Sequence, residues 1–372
     1  MQCIRVGVIG AGGVAQVEHI PNLLKLHRQF EVLGVYDPSQ KVRAFVEEEF
    51  GLRTFAELDE LLAMPLDAVV IASPDALHLE QSLAALARGL HVFCEKPLCY
   101  GAEDIDELIA ASGRAGTVLQ VGYMKRFDPS YEAALKMLPG TAQALRYVSV
   151  EVNDADAWPF IRHHSTCRGE DVAAMLIAST AAKQREQVER ALPGIDDADA
   201  FRGFVGAYCS SIVHDVNAIH GLLDALGVAD GEIVGASLFA KGGGGQGAVR
   251  LLDGQALWNM VHLAVPGLAD YRERIALYFD DASLELEFPS PYLNHQPTRL
   301  TLRTSDGHTL SSREIRSGYE AAFVEELKGF WSAIVEGTPV RNTAEHARRD
   351  MVLLVGLTRH HLAQLKQSGV RP

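Results

Sequence analysis

Close to its start the chain runs Ile4-Arg5-Val6-Gly7-Val8-Ile9 straight into Gly10-Ala11-Gly12-Gly13-Val14-Ala15, a strand-like run closing on the pattern G-x-G-x-x-A. No other feature restricts the fold as much. Gly10 permits a tight turn, Gly12 lets backbone approach a diphosphate, and Ala15 allows the following helix to pack closely. The N–H groups of Gly13 and Val14, where that helix opens, favour an anion. A strand, this turn and a helix in that order predict a dinucleotide-binding Rossmann domain.

The next stretches agree. Short β-branched runs, FEVLGVY, DAVVIA, HVFC and TVLQV, alternate with amphipathic segments, which predicts βαβ units and a parallel sheet. Gly89 and Gly116 stand where helix C-caps belong. Asp37 closes the second run, about twenty residues beyond the fingerprint, where a carboxylate accepts hydrogen bonds from both ribose hydroxyls. That favours NAD. Lys41 and Arg43 lie near enough to leave NADP possible.

After Tyr123 the pattern changes. Asp253-Gly254 separates VRLL from QALWNMV, and Asp306-Gly307 separates LTLRTS from HTLSS, so hairpins and an antiparallel sheet follow. Tyr319 to Val335 and Glu345 to Leu365 read as closing helices against that sheet. Gly169 to Leu192 is a long helix-forming stretch ended by Pro193-Gly194, either a lid or an outer helix. Gly242 to Gly245 lacks the Lys-Ser/Thr of a phosphate loop and reads as a turn. The expected architecture is α/β: a doubly wound Rossmann domain over residues 1–125, then an α+β domain over 126–372 with a mainly antiparallel open sheet. A helical insertion occupies about 154–204.

A chain of 372 residues suits two domains, and its 48% hydrophobic content supports a sizeable core in each. A net charge of −14 without a basic block argues against nucleic acid, leaving a small molecule as partner. The five cysteines are scattered without a C-x-x-C pair, which suggests reduced thiols in the cytoplasm. No run suits a signal peptide or a membrane span. His163, His164 and Cys167 lack a fourth ligand at recognisable spacing, so no metal is expected.

Three further motifs carry a resemblance: Ala72-Ser73-Pro74 with His78, Glu95-Lys96-Pro97, and Tyr123-Met124-Lys125-Arg126-Phe127-Asp128-Pro129. With the closing pattern Phe323, Glu326, Phe330, Gly337 and Asp350, the chain resembles the Gfo/Idh/MocA family of glucose-fructose oxidoreductase, inositol dehydrogenase and rhizopine-catabolism proteins. The resemblance implies an NAD(P)-dependent oxidoreductase acting on a secondary hydroxyl or ketone of a sugar, polyol or related cyclic compound. It adds Ser73, Pro74, His78, Glu95 and Lys96 to the cofactor-binding set. It also implies a homodimer or homotetramer paired through a sheet face.

Lys96 falls at the carboxyl end of a strand, the edge where doubly wound sheets bind ligands. To act as general acid/base its amine must be partly neutral, which burial and a cationic ring promote. Glu95 would orient it and Pro97 would stiffen the turn. In Cys209 to His220, helical spacing places Ser210, His214, Asn217 and Gly221 on one face. His214 matches the family's active-site histidine, and Asn217 would touch a neighbouring substrate hydroxyl. Ser210 stands where many family members carry Asp, which places more of the proton transfer on Lys96. Arg126 and Lys125 would meet substrate or cofactor, or form a domain-linking salt bridge; Asp215 and His220 would face elsewhere. Trp158, Arg162 and His163 would line a sugar pocket by stacking and hydrogen bonding, or pack as part of the insertion. Two other readings use the same residues: a redox-neutral elimination or epimerisation with NAD as transient oxidant, and a non-catalytic NAD-sensing protein.

Overall fold

The apolar residues of the first strand need cover on both faces, and a parallel sheet with helices on each side supplies it. In the computed structural model, which describes residues 2–138 and 141–368, β1 (Ile4–Ile9) is buried at every position but Arg5. It lies between β2 (Phe30–Tyr36) and β4 (Ala68–Ile71), parallel to both. With β3 (Thr54–Phe55), β5 (His91–Glu95) and β6 (Leu119–Gly122) the sheet order is β3-β2-β1-β4-β5-β6. The order reverses between β1 and β4, so the loops after these strands form the crevice where such folds hold ligands.

The second sheet has eight strands: β7 (Leu145–Asp154), β8 (Glu232–Leu238), β9 (Gly244–Leu251), β10 (Ala256–Ala264), β11 (Arg272–Phe279), β12 (Ala282–Phe288), β13 (Arg299–Ser305) and β14 (Leu310–Ile315). Their order is β14-β13-β12-β11-β7-β10-β9-β8. Only the β7–β10 pairing is parallel. Both Asp-Gly turns are hairpins, pairing Leu251 with Ala256 and Ser305 with Leu310. Asp253 and Gly254 adopt positive φ, which short-side-chain residues and glycine tolerate best.

The chain divides into two compact units, each discontinuous in sequence. The first takes the chain up to Tyr123 together with Ile161–Ala191 and Phe323–Arg349. The second takes Met124–Phe160, Leu192–Ala322 and the chain from Asp350 on. The helix Ala322–Val335, expected on the antiparallel sheet, packs with the parallel one. Trp331 donates its indole N–H to the Gln2 carbonyl at 2.9 Å, and the Gln120 amide donates to the Glu326 carbonyl at 3.1 Å. An amphipathic stripe specifies that a face is buried, not which sheet buries it. The helix Ala174–Ala191 belongs to the parallel-sheet unit as well.

Candidate active site

The glycine-rich turn has the shape a dinucleotide requires. Gly10 has φ of +87°, and a Cβ there would lie 2.7 Å from the Ser73 backbone. At Gly12 and Gly13 an added Cβ would meet nothing within 4 Å, so the backbone is clear for close approach of a diphosphate. Val14 leads into a π-helical turn, Ala15–His19, with no side chain capping its N–H groups. Ala15 is fully buried beneath it. Asp37 accepts hydrogen bonds from the N–H groups of Ala11 (2.9 Å) and Ser39 (2.8 Å), one on each oxygen. Burial raises its pKa against the pull of those donors. Each oxygen keeps a lone pair for a further donor, so the residues present fit an adenosine ribose.

At the next switch-point loops, Ser73 donates its hydroxyl to Gln81 at 2.5 Å, and Pro74 beside it is exposed. His78, expected to touch cofactor, ties two loops together. It is buried, and its ring nitrogens stand 2.9 Å from the carbonyl oxygens of Ser73 and Pro97. Carbonyls only accept, so both nitrogens must carry protons. Burial opposes that charge, but the Cys94 sulfur and the Pro97 carbonyl outweigh it and raise the pKa to about 9.

Lys96 follows β5 and is half-buried. Glu95 accepts the Lys96 backbone N–H at 3.2 Å on one oxygen, and its other oxygen lies 2.7 Å from His19 Nε2. Burial would raise the Glu95 pKa, yet the His19 hydrogen bond and charge hold it below the ordinary value. His19 is fully buried, edge-on to Phe93 and Phe323. Sequence reasoning missed it. The available signal was a polar residue one helical turn beyond Ala15 in an otherwise apolar face. Beyond Glu95, burial and the Glu95 charge push the pKa of the fully buried Glu326 well above the carboxylate range.

In the second unit the π-helical segment Gly203–Ile212 precedes the α-helix Val213–Leu226. Ser210 is exposed and donates to the Val205 carbonyl at 3.0 Å, five residues back, as π geometry dictates. The i, i+3, i+4 face counted from Ser210 therefore holds only from Val213 onward. His214 is half-buried. Asn217, expected on substrate, is fully buried and donates to Asp350 at 2.7 Å, while His220 Nδ1 meets the same carboxylate at 2.6 Å. A buried carboxylate needs such donors.

Arg126, expected on substrate, is buried and bonded within its own unit. Its Nε donates to the Asn217 carbonyl at 3.0 Å, and a Cβ on Gly221 would come within 2.6 Å of its guanidinium. Lys125 is buried between Asp215, at 3.2 Å, and Glu273, all three in the second unit. It forms no domain-linking bridge through these partners. At the end of β7, Asp154 pairs with buried His262 at 3.2 Å. Burial would raise the Asp154 pKa, but the His262 bond lowers it overall. This pair was not foreseen, because only the β7–β10 register brings the two ends together.

His163 and His164 stack with ring centroids 4.2 Å apart. Among the described residues no three His, Cys, Asp or Glu side chains gather to hold a metal. None of the described helices is long and apolar enough to cross a membrane.

Residues 4–123 match the model of an oxidoreductase family with an NAD-binding Rossmann fold. That model is the Gfo/Idh/MocA one, and it matches the first third of the chain, so the likeness is to that family's NAD-binding domain. The chain is 38% identical over 130 residues to inositol 2-dehydrogenase 3 of Saccharopolyspora erythraea, covering 34% of this chain and 38% of that one. It is 30% identical over 149 residues to glucose-6-phosphate 3-dehydrogenase of Bacillus subtilis, covering 40% and 41%. These matches span about two-fifths of each relative, 38% and 41%. The fold is shared more widely. A UDP-N-acetylglucosamine 3-dehydrogenase from Acidithiobacillus ferrooxidans superposes with a TM-score of 0.70 at 20% identity, over 98% of this chain and 99% of that one. A 3-ketoreductase from Actinomadura kijaniata, solved with NADP and TDP-benzene, gives 0.72 at 18% identity, over 96% and 98%.

Proposed function

We propose that this protein is an NAD(P)-dependent oxidoreductase that interconverts a secondary hydroxyl and a ketone on a sugar, polyol or related cyclic compound, in a reducing compartment such as the cytoplasm. The observation that carries this reading is the double anchoring of Lys96. On one side Glu95 holds its N–H and is itself held by His19; on the other, the Pro97 carbonyl is held by His78. A reactive group kept in place by supporting residues on a strand end is what proton-transfer chemistry needs.

Bound nicotinamide would supply a hydride acceptor, or a donor in the reverse direction; Gly10, Gly12, Gly13, Val14, Ala15 and Asp37 would hold the dinucleotide. In oxidation the Lys96 amine takes the hydroxyl proton, and in reduction it returns one to the ketone oxygen. His214 is the second proton-handling group in this reading, with Ser210 near it in sequence in place of a carboxylate. Relatives named for inositol and for sugar 3-positions support the substrate class. The subunits are proposed to pair through the open sheet into a homodimer or homotetramer.

A panel of polyols, free sugars and nucleotide sugars assayed with NAD should yield NADH absorbance with at least one member. NAD binding without turnover across the panel would instead favour a sensor.

A further inference from the structure

The segment most foreign to the rest of the sequence lies across the loops that the dinucleotide reading singles out. Cys167 is gripped at both ends of its peptide by buried Gln16, in the helical turn just past the fingerprint. The Gln16 amide N–H group donates to the Cys167 carbonyl at 2.9 Å, and its oxygen accepts the Cys167 N–H at 2.8 Å. The same amide donates to the Ala11 carbonyl at 2.6 Å, inside the fingerprint. Four residues on, Asp171 accepts the Ser39 hydroxyl and, at 3.1 Å, the Lys41 N–H. Ser39 is thus held between two carboxylates, Asp37 on its N–H and Asp171 on its hydroxyl. The helix Ala174–Ala191 then reaches the loop after β4, where Gln187 donates to the Ala76 carbonyl at 2.9 Å. Gln184 donates to Tyr100 at 2.7 Å, and Lys183 pairs with Glu80.

We infer that residues 161–191 form a strap walling the adenosine end of the dinucleotide site, and that Asp171 selects the cofactor lacking a 2′-phosphate. The inference rests on the dinucleotide reading of Gly10 to Ala15 and Asp37. Three loops that converge on the ribose and adenine side of such a fold, those after β1, β2 and β4, are each bonded to this one segment. The two cations that left NADP open are also engaged. Lys41 faces Glu170 of the strap at 3.6 Å, and Arg43 donates to the carbonyls of Asp37 (2.8 Å) and Pro38 (3.1 Å). A 2′-phosphate at this corner would meet the carboxylates of Asp37, Asp171 and Glu170, with Lys41 already paired to Glu170 and one Arg43 nitrogen already bonded to backbone carbonyls. Asp171 is exposed, so solvent screens its share of the repulsion.

Two variants separate the roles. In the Glu170→Gln, Asp171→Asn double variant, the ratio of the NADP to the NAD dissociation constant, measured by calorimetry, should fall about tenfold. In the Gln184→Ala, Gln187→Ala double variant, NADH release followed by stopped-flow fluorescence should speed up about tenfold with that ratio little changed. An unchanged ratio in the first overturns the selection, and unchanged release in the second overturns the wall. If the unaltered protein bound neither dinucleotide, the cofactor reading itself would fall, and this inference with it.

Discussion

At the scale of single residues, the groups proposed to carry chemistry are placed by local geometry, whereas the groups that hold them are placed by contacts with distant parts of the chain. Gly10, Asp37 and Lys96 stand where their local patterns place them, because turn geometry and strand ends are set within a few residues. His19 and Asp350 act through contacts 76 to 133 residues apart in sequence, which no local period announces, while His78 reaches Ser73 five residues back and Pro97 nineteen residues on. His78 gives the clearest consequence. An imidazole with a folded pKa near 9 against an ordinary 6.5 contributes its stabilisation in full below pH 6.5 and loses it as pH rises through 9. The whole effect is at most about 3 kcal/mol. Urea midpoints should therefore fall between pH 6.5 and 9 in the unaltered protein and vary less in His78→Gln. Parallel curves for the two would show that His78 carries no such charge.

At the scale of elements, both Asp-Gly hairpins and the alternating strands were legible, since turn chemistry and a period of two are written locally. Two things were not. The π-helical segments Ala15–His19 and Gly203–Ile212 shift the face count by about one residue per turn. That shift is why Ser210 falls out of register with His214 and Asn217. The helix Ala322–Val335 found the other sheet because both open faces offer apolar cover, and the choice depends on partners such as Gln2 and Gln120. Both π segments border residues proposed to act on cofactor or substrate, a place where such irregular turns recur.

At the scale of the whole molecule, the two compact units carry different parts of the proposed chemistry. The parallel-sheet unit holds the fingerprint, Asp37, Lys96 and the strap; the other holds His214. The open eight-stranded sheet leaves Tyr278 and Leu310 exposed, apolar surface of the sort that pairing between copies would cover. Light scattering should return two or four times the 40.4 kDa chain mass, and a single-chain mass would contradict the proposed pairing. The substrate's stereochemistry was not legible, because it is read by side chains from distant parts of the chain.

The central claim is that Lys96 moves the proton while the surrounding fold holds the dinucleotide. Turnover and NAD affinity of Lys96→Ala, measured beside the unaltered protein on the same substrate, test it most directly. Turnover should fall by more than about a hundredfold with the NAD dissociation constant essentially retained. Turnover that survives the substitution would contradict the assignment.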